Sequence, residues 1–243
     1  MAPSDDIHIE ATETDPAVRA RTAIHRGHRE LLAGLAAFTG PEPAAGYGDS
    51  VHAELTGFCT GELRRHLAAT DGTLYAVASG AADTRLLVRA LRSGLAALDA
   101  RIDAVAATGD AAAAVPLARA VEAVLAVHLE VEDSVLLPAL ATLPGADLPA
   151  LVADLRTLLD GGRLDTPAVI DVREIPHGRR HPRIFARFGR LGPGEAFTLV
   201  NNHDPKPLRR EFEAAHPGAH TWDYVESGPD VWRVRIGRVT ADA

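Results

Sequence analysis

Between Asp15 and about residue 160, apolar side chains return every three to four positions in four long stretches, roughly 15–39, 50–78, 82–107 and 112–142. That period lines one side of an α-helix, and a stripe of this width must be buried against others like it. Asp15-Pro16 opens the first stretch as an N-cap followed by proline, and Ser50 is a candidate N-cap for the second. "TGPEPAAGYGDS", "ASGAAD" and "ATGDAA" supply the breaks. Four helices this long with short connections predict an up-down-up-down four-helix bundle. A shorter helix is expected at 147–159.

After "DGGRLDTP" (160–167) the period changes. "AVIDVREI" and "AFTLVNN" alternate like strands, and "TWDYVES" and "DVWRVRIGRV" read as a closing pair joined by Ser227-Gly228-Pro229. "HPRIFARFGRL" and "PKPLRREFEAA", between them, keep helical spacing. The expected fold class is therefore multidomain, α and α+β: a helical domain over 15–160, then a small β-α-β-α-β-β sandwich over 166–243 with its helices on one sheet face.

Composition narrows the function. The 243 residues suffice for two ordinary cores. A net charge of −8 without clustered Lys or Arg argues against nucleic acid as a partner. There is no unbroken apolar run of membrane-spanning length, so no membrane span is expected. The acidic, polar start "MAPSDDIHIEATETD" fits neither a signal nor a transit peptide. A single cysteine, Cys59, excludes an intramolecular disulfide framework and suits a cytoplasmic setting.

Some polar residues share the apolar stripes. Ile24, His28, Leu31, Leu35 and Phe38 align in the first helix, with His25 at the edge. Leu55, Cys59, Glu62, His66 and Thr70 align in the second, while the third, through Leu87, Leu91, Leu95, Leu98, Ile102 and Val105, carries no polar group. In the fourth, Val121, Val124, His128, Glu132, Val135 and Ala139 align, with Asp133 one step around. Burying an imidazole or a carboxylate costs several kcal/mol unless it is paired or bound to a metal. A histidine followed by a carboxylate four residues on, facing other inward histidines, is a way for a bundle core to hold iron or manganese. A lone core histidine satisfied by a hydroxyl or backbone group is the simpler alternative for any one of them. Tyr75 and Cys59 read as packing.

"HRELLAGL", "ELRRHLAATDGTLY" and "HLEVEDSVLLPAL" resemble the hemerythrin-like, HHE cation-binding family over roughly residues 15–142. The resemblance implies a four-helix bundle around a non-haem di-iron centre. It carries ligand roles onto His28, His66, and His128 with Glu132 or Asp133. It departs in two places: Thr70 stands where the second-helix carboxylate belongs, with Asp71 one residue on, and Leu95 stands where the third-helix histidine belongs. The ligand set is thus short of a di-iron site. Three outcomes stay open: a mononuclear site, a di-metal site completed by Asp71, Glu62 or His25, or a metal-free scaffold. An iron there implies binding or sensing of O2, NO or peroxide rather than turnover, with an iron-dependent oxidative enzyme as a further alternative.

"IDVREI", "RRHPRIF", "LGPGE", "HDPKPL" and "WRV" resemble an uncharacterised domain family often fused to hemerythrin-like domains and thought to share the TusA/SirA sulfur-carrier fold. Such carriers hold a reactive cysteine where this chain has His181-Pro182. No cysteine follows Cys59, so persulfide transfer is excluded. Asp171, Arg173, His181, His203 and Asp204 form the domain's candidate cluster for a metal, a small anion or a protein partner, with His181 expected at a helix N-terminus. Simple turn-capping and sheet-edge pairing is the alternative. Trp222, Tyr224 and Trp232 are expected in packing, either within the domain or against the bundle.

Overall fold

The computed structural model describes residues 15–40 and 49–240; the acidic N-terminal stretch and most of the first break lie outside them. Helix α1 runs Pro16–Thr39, with the Asp15 carboxylate accepting from the Ala17 amide as its N-cap. Helix α2 is continuous over 49–79 and already includes Asp49, so Ser50 lies inside it rather than capping it. Helix α3 is Ala82–Ala107, α4 is continuous over 111–142, and α5 is Leu148–Leu159, packed on α1 and the middle of α2. Strands and helices then alternate: β1 Val169–Asp171, α6 His177–Gly189, β2 Ala196–Asn201, α7 Lys206–Ala215, β3 His220–Ser227 and β4 Trp232–Arg238. The sheet order is β1-β2-β4-β3, with β1 and β2 parallel and the other pairs antiparallel. This is the expected arrangement of a helical region followed by a small α+β unit.

The predicted stripes drift in two helices, and the reason is local. Alpha-helical hydrogen bonding gives way to single π turns at Phe58–Leu63 and Asp71–Tyr75 in α2, and at Glu132–Leu136 in α4. Each π turn accommodates one extra residue and moves the buried face by one position. Glu62 is therefore exposed and Leu63 fully buried, which removes Glu62 from the interior. Likewise Val135 is 48% exposed, and the stripe continues through Leu136 and Leu140 instead of Val135 and Ala139.

The bundle interior divides into two apolar clusters. One centres on Ile24, Leu74, Val88, Leu136 and Leu151; the other on Leu35, Leu63, Leu98, Ile102 and Leu125. Leu95 packs against both. His28, His66 and His128 each fall in sequence between residues of the two clusters, so a polar layer separates them.

By length and a mean hydropathy of 1.6, the helix Ala112–Thr142 could cross a membrane. The missing unbroken apolar run did not anticipate this. Its inward face is the bundle core, and the helix carries buried His128 and Glu132 midway.

The C-terminal unit packs Ile184, Phe185, Phe188, Leu208 and Phe212 of its two helices against Ile170, Phe197, Leu199, Val234 and Ile236 of the sheet. The Trp222 ring meets Phe212 at a tilt and the Tyr224 ring meets Trp232 edge-on, so these aromatics pack within their own unit. The bundle contact is made mainly by α6 instead, with His216 Nε2, just past α7, 3.5 Å from Ser79 Oγ. A Cβ on Gly80 would lie 2.5 Å from the Phe185 ring, and one on Gly189 would lie 2.4 Å from the Ala76 Cβ. Gly145, at φ +80°, lies so close to α6 that a Cβ there would sit 2.0 Å from the Gly178 carbonyl oxygen. Arg190 pairs with Asp154 across the same boundary.

Candidate metal centre

Glu132 is the hub of the polar layer. Its Oε2 lies 3.2 Å from His28 Nε2, and its Oε1 lies 3.2 Å from His128 Nε2 and accepts the Tyr75 hydroxyl proton in a short hydrogen bond. Since Tyr75 has one proton to donate, the 2.9 Å contact between its oxygen and His128 Nε2 requires His128 to be the donor. His66 closes the group, its ring edge-on to His28 with centroids 5.3 Å apart. One donor atom from each of His28, His66 and Glu132 falls within 4.8 Å of the others, all three residues being buried. Ligand bonds of about 2.0–2.2 Å place donor pairs roughly 3–3.5 Å apart, a spacing that His28 and Glu132 already have.

Orphaned polar atoms mark the same place. His66 Nε2, Thr70 Oγ1 and Glu132 Oε2 are buried without a hydrogen-bond partner. So are His28 Nδ1 and Asp133 Oδ1, which lie 2.8 Å apart but out of line for a hydrogen bond. Each such atom costs about 1–3 kcal/mol. A cation held by His28, His66 and Glu132 would satisfy two of them directly, so the donor set fits a metal ion.

Charge in the layer is unevenly held. Burial alone would lower the His28 pKa, but the Asp133 and Glu132 carboxylates outweigh it and raise it to about 9. Burial and then the charge on His28 lower His66 to about 4, leaving it neutral near pH 7. Glu132 would be raised by burial, yet His128 and the charged His28 beside it bring it down to about 2. Tyr75 is pushed far above the ordinary tyrosine range by burial and then by Glu132, so it stays a hydroxyl donor.

The other candidates are placed elsewhere. Asp71 lies at the start of a π turn and pairs with Arg92 at 2.7 Å, and Glu62 faces solvent; neither completes a second metal position. Asp133 bridges His28 and His25, the latter at 3.3 Å and at the edge of the layer. From α3 the neighbour of His128 is Gly94: a Cβ there would stand 2.7 Å from His128 Nδ1. Sequence spacing did not reveal Tyr75 or Gly94 as part of this layer. Tyr75 arrives at Glu132 through the π turn that ends on it.

In the C-terminal unit the predicted cluster separates into local pairs. Asp171 caps the Arg173 amide and pairs with its guanidinium at 2.6 Å. His203 Nδ1 contacts Asn202, and Asp204 accepts from Tyr224 at 2.8 Å and pairs with Lys206. His181 contacts Glu211 at 2.9 Å and is not at a helix N-terminus, because α6 begins at His177. Pro182, beside it, likewise lies inside the helix. His181 and His203 line the same small cavity of about 130 Å³ without meeting.

A buried histidine–carboxylate layer inside a helical bundle defines a cation-binding protein of the bundle class. A family model described as "Hemerythrin HHE cation binding domain" matches residues 17–140, just over half of the chain. The chain belongs to the hemerythrin HHE cation-binding family. A second, described as "Uncharacterized conserved protein (DUF2249)", matches residues 169–238. No curated protein and no solved structure matches the chain.

Proposed function

We propose that this metal-binding protein holds a single non-haem iron through His28, His66 and Glu132 and uses it to bind or sense O2, NO or peroxide. The convergence of three buried donors, with His66 Nε2 and Glu132 Oε2 unpartnered, carries the reading. A ferrous ion there supplies an open coordination position for such a small ligand. His66 is neutral and ready as a ligand, whereas His28 must first release its proton. Tyr75 fixes Glu132 by hydrogen bonding, and His128 supports both. The apolar clusters on either side limit water access. A cytoplasmic setting without nucleic-acid or membrane partners belongs to the same proposal; the charge of −8 and the one buried cysteine support it.

Metal analysis of protein purified without chelators, and again after anaerobic ferrous loading, tests the reading. One iron per chain is expected, with an absorption change on adding NO that His66→Ala lacks. Two irons per chain would overturn the mononuclear assignment. A metal-free scaffold is the second reading, favoured by the Tyr75–Glu132–His128 hydrogen bonds, which satisfy part of the layer without an ion. No metal after loading would establish it.

A further inference from the structure

A groove of about 470 Å³ runs between α5 of the bundle, the linker and α6, within the size range of small-molecule sites. Its α6 wall carries Arg179, Arg183, Arg187 and, just past the helix end, Arg190. Their spacing of four, four and three residues puts them on one helix face. Arg187 is only 7% exposed; its Nε donates to the Pro167 carbonyl and its guanidinium lies over the Phe197 ring, while Nη1 is buried without a partner. Arg190 pairs with Asp154, yet its Nε is also buried and unpartnered. Of the groove's other carboxylates, Asp147 caps the Ala150 amide, and Asp165 and Glu174 are exposed at its edge. The floor is apolar, formed by Val77, Ile170, Ile175 and Ala186. A buried guanidinium N–H left idle is costly, and an oxyanion is the group that best completes it.

We infer that this groove binds a small organic anion, its carboxylate or phosphate head on Arg187 and Arg183 and a short apolar body on the floor. The ligand would touch the bundle, the linker and the C-terminal unit together. The site is separate from the histidine layer and does not depend on metal.

Calorimetric titration of the full chain with hexanoate, hexanamide and inorganic phosphate tests this. Hexanoate is expected to bind saturably and hexanamide about tenfold more weakly or not at all, the difference of one charge-assisted pair. Saturable phosphate binding weaker than that of hexanoate would show the head acting without the body. Arg183→Gln, an exposed change that spares folding, is expected to weaken hexanoate about tenfold with iron content unchanged. Arg187→Gln should abolish binding if the variant folds; the Arg183 variant decides the matter if it does not. Equal binding of hexanoate and hexanamide, wild-type affinity in Arg183→Gln, or no saturation by hexanoate or phosphate below about 10 mM would each overturn the site.

Discussion

His28, His66, His128 and Glu132 in the bundle are between 1% and 6% exposed, and three of them (His28, His66 and Glu132) keep buried polar atoms without hydrogen-bond partners. The C-terminal unit carries comparable chemistry in Asp171, Arg173, His181, His203 and Asp204, but each of these finds a neighbour at or near the surface. The second set sits in exposed or half-buried local pairs, with one buried unpartnered atom beside it, the Glu211 Oε2 that faces His181. The first set is cut off from water, and its unmet atoms specify a ligand. The same residue types thus differ in meaning through burial and unmet hydrogen bonding rather than identity.

That contrast can be broken most directly at the bundle. Replacing His66 or Glu132 by Ala removes one of three donors and should reduce iron content to near background by elemental analysis. His203→Ala, on the other side of the comparison, should leave it at the wild-type value. If both changes act alike, burial is not what separates the two clusters.

Gly145→Ala is expected to destabilise the chain by about 2–3 kcal/mol or more, because the added Cβ meets the Gly178 carbonyl from a positive φ. Urea unfolding measures this; a change under about 0.5 kcal/mol would show that the boundary between bundle and C-terminal unit adds little stability. Gly94→Ala, at the His128 ring, should cost about 1–3 kcal/mol by the same crowding.

The two histidine shifts give the metal-free protein opposite pH arms. The folded chain holds the His28 proton more tightly than the unfolded one, so this contribution is complete below about pH 6.5 and is lost as the pH rises through about 9. The folded chain holds the His66 proton less tightly, so that contribution is present above about pH 6.5 and is lost as the pH falls towards about 4. Stability in urea should therefore peak near neutrality, and His28→Gln should flatten the alkaline arm; an unchanged arm would refute the pairing with Asp133 and Glu132. Tyr75→Phe, which removes support for Glu132 but no proposed ligand, should weaken iron affinity by about 10–100-fold in competition with a chelator. The smallest effect is expected for His203→Ala, whose stability should stay within about 0.5 kcal/mol of wild type.

The apolar period determined by itself that the chain has four long helices, a short fifth, and then a β-α-β-α-β-β unit, since burying a stripe leaves few alternatives. It also marked His28, His66, His128 and Glu132, because a charged or titratable residue on an apolar stripe stands out locally. Tertiary structure alone decided the rest. π turns displaced Glu62 outward, carried the α4 stripe to Leu136 and Leu140, and brought Tyr75 to Glu132, because one extra backbone residue rotates everything after it. Gly94 beside His128 and the unpartnered Arg187 Nη1 at the groove depend on neighbours far away in sequence, and no local pattern records those distances.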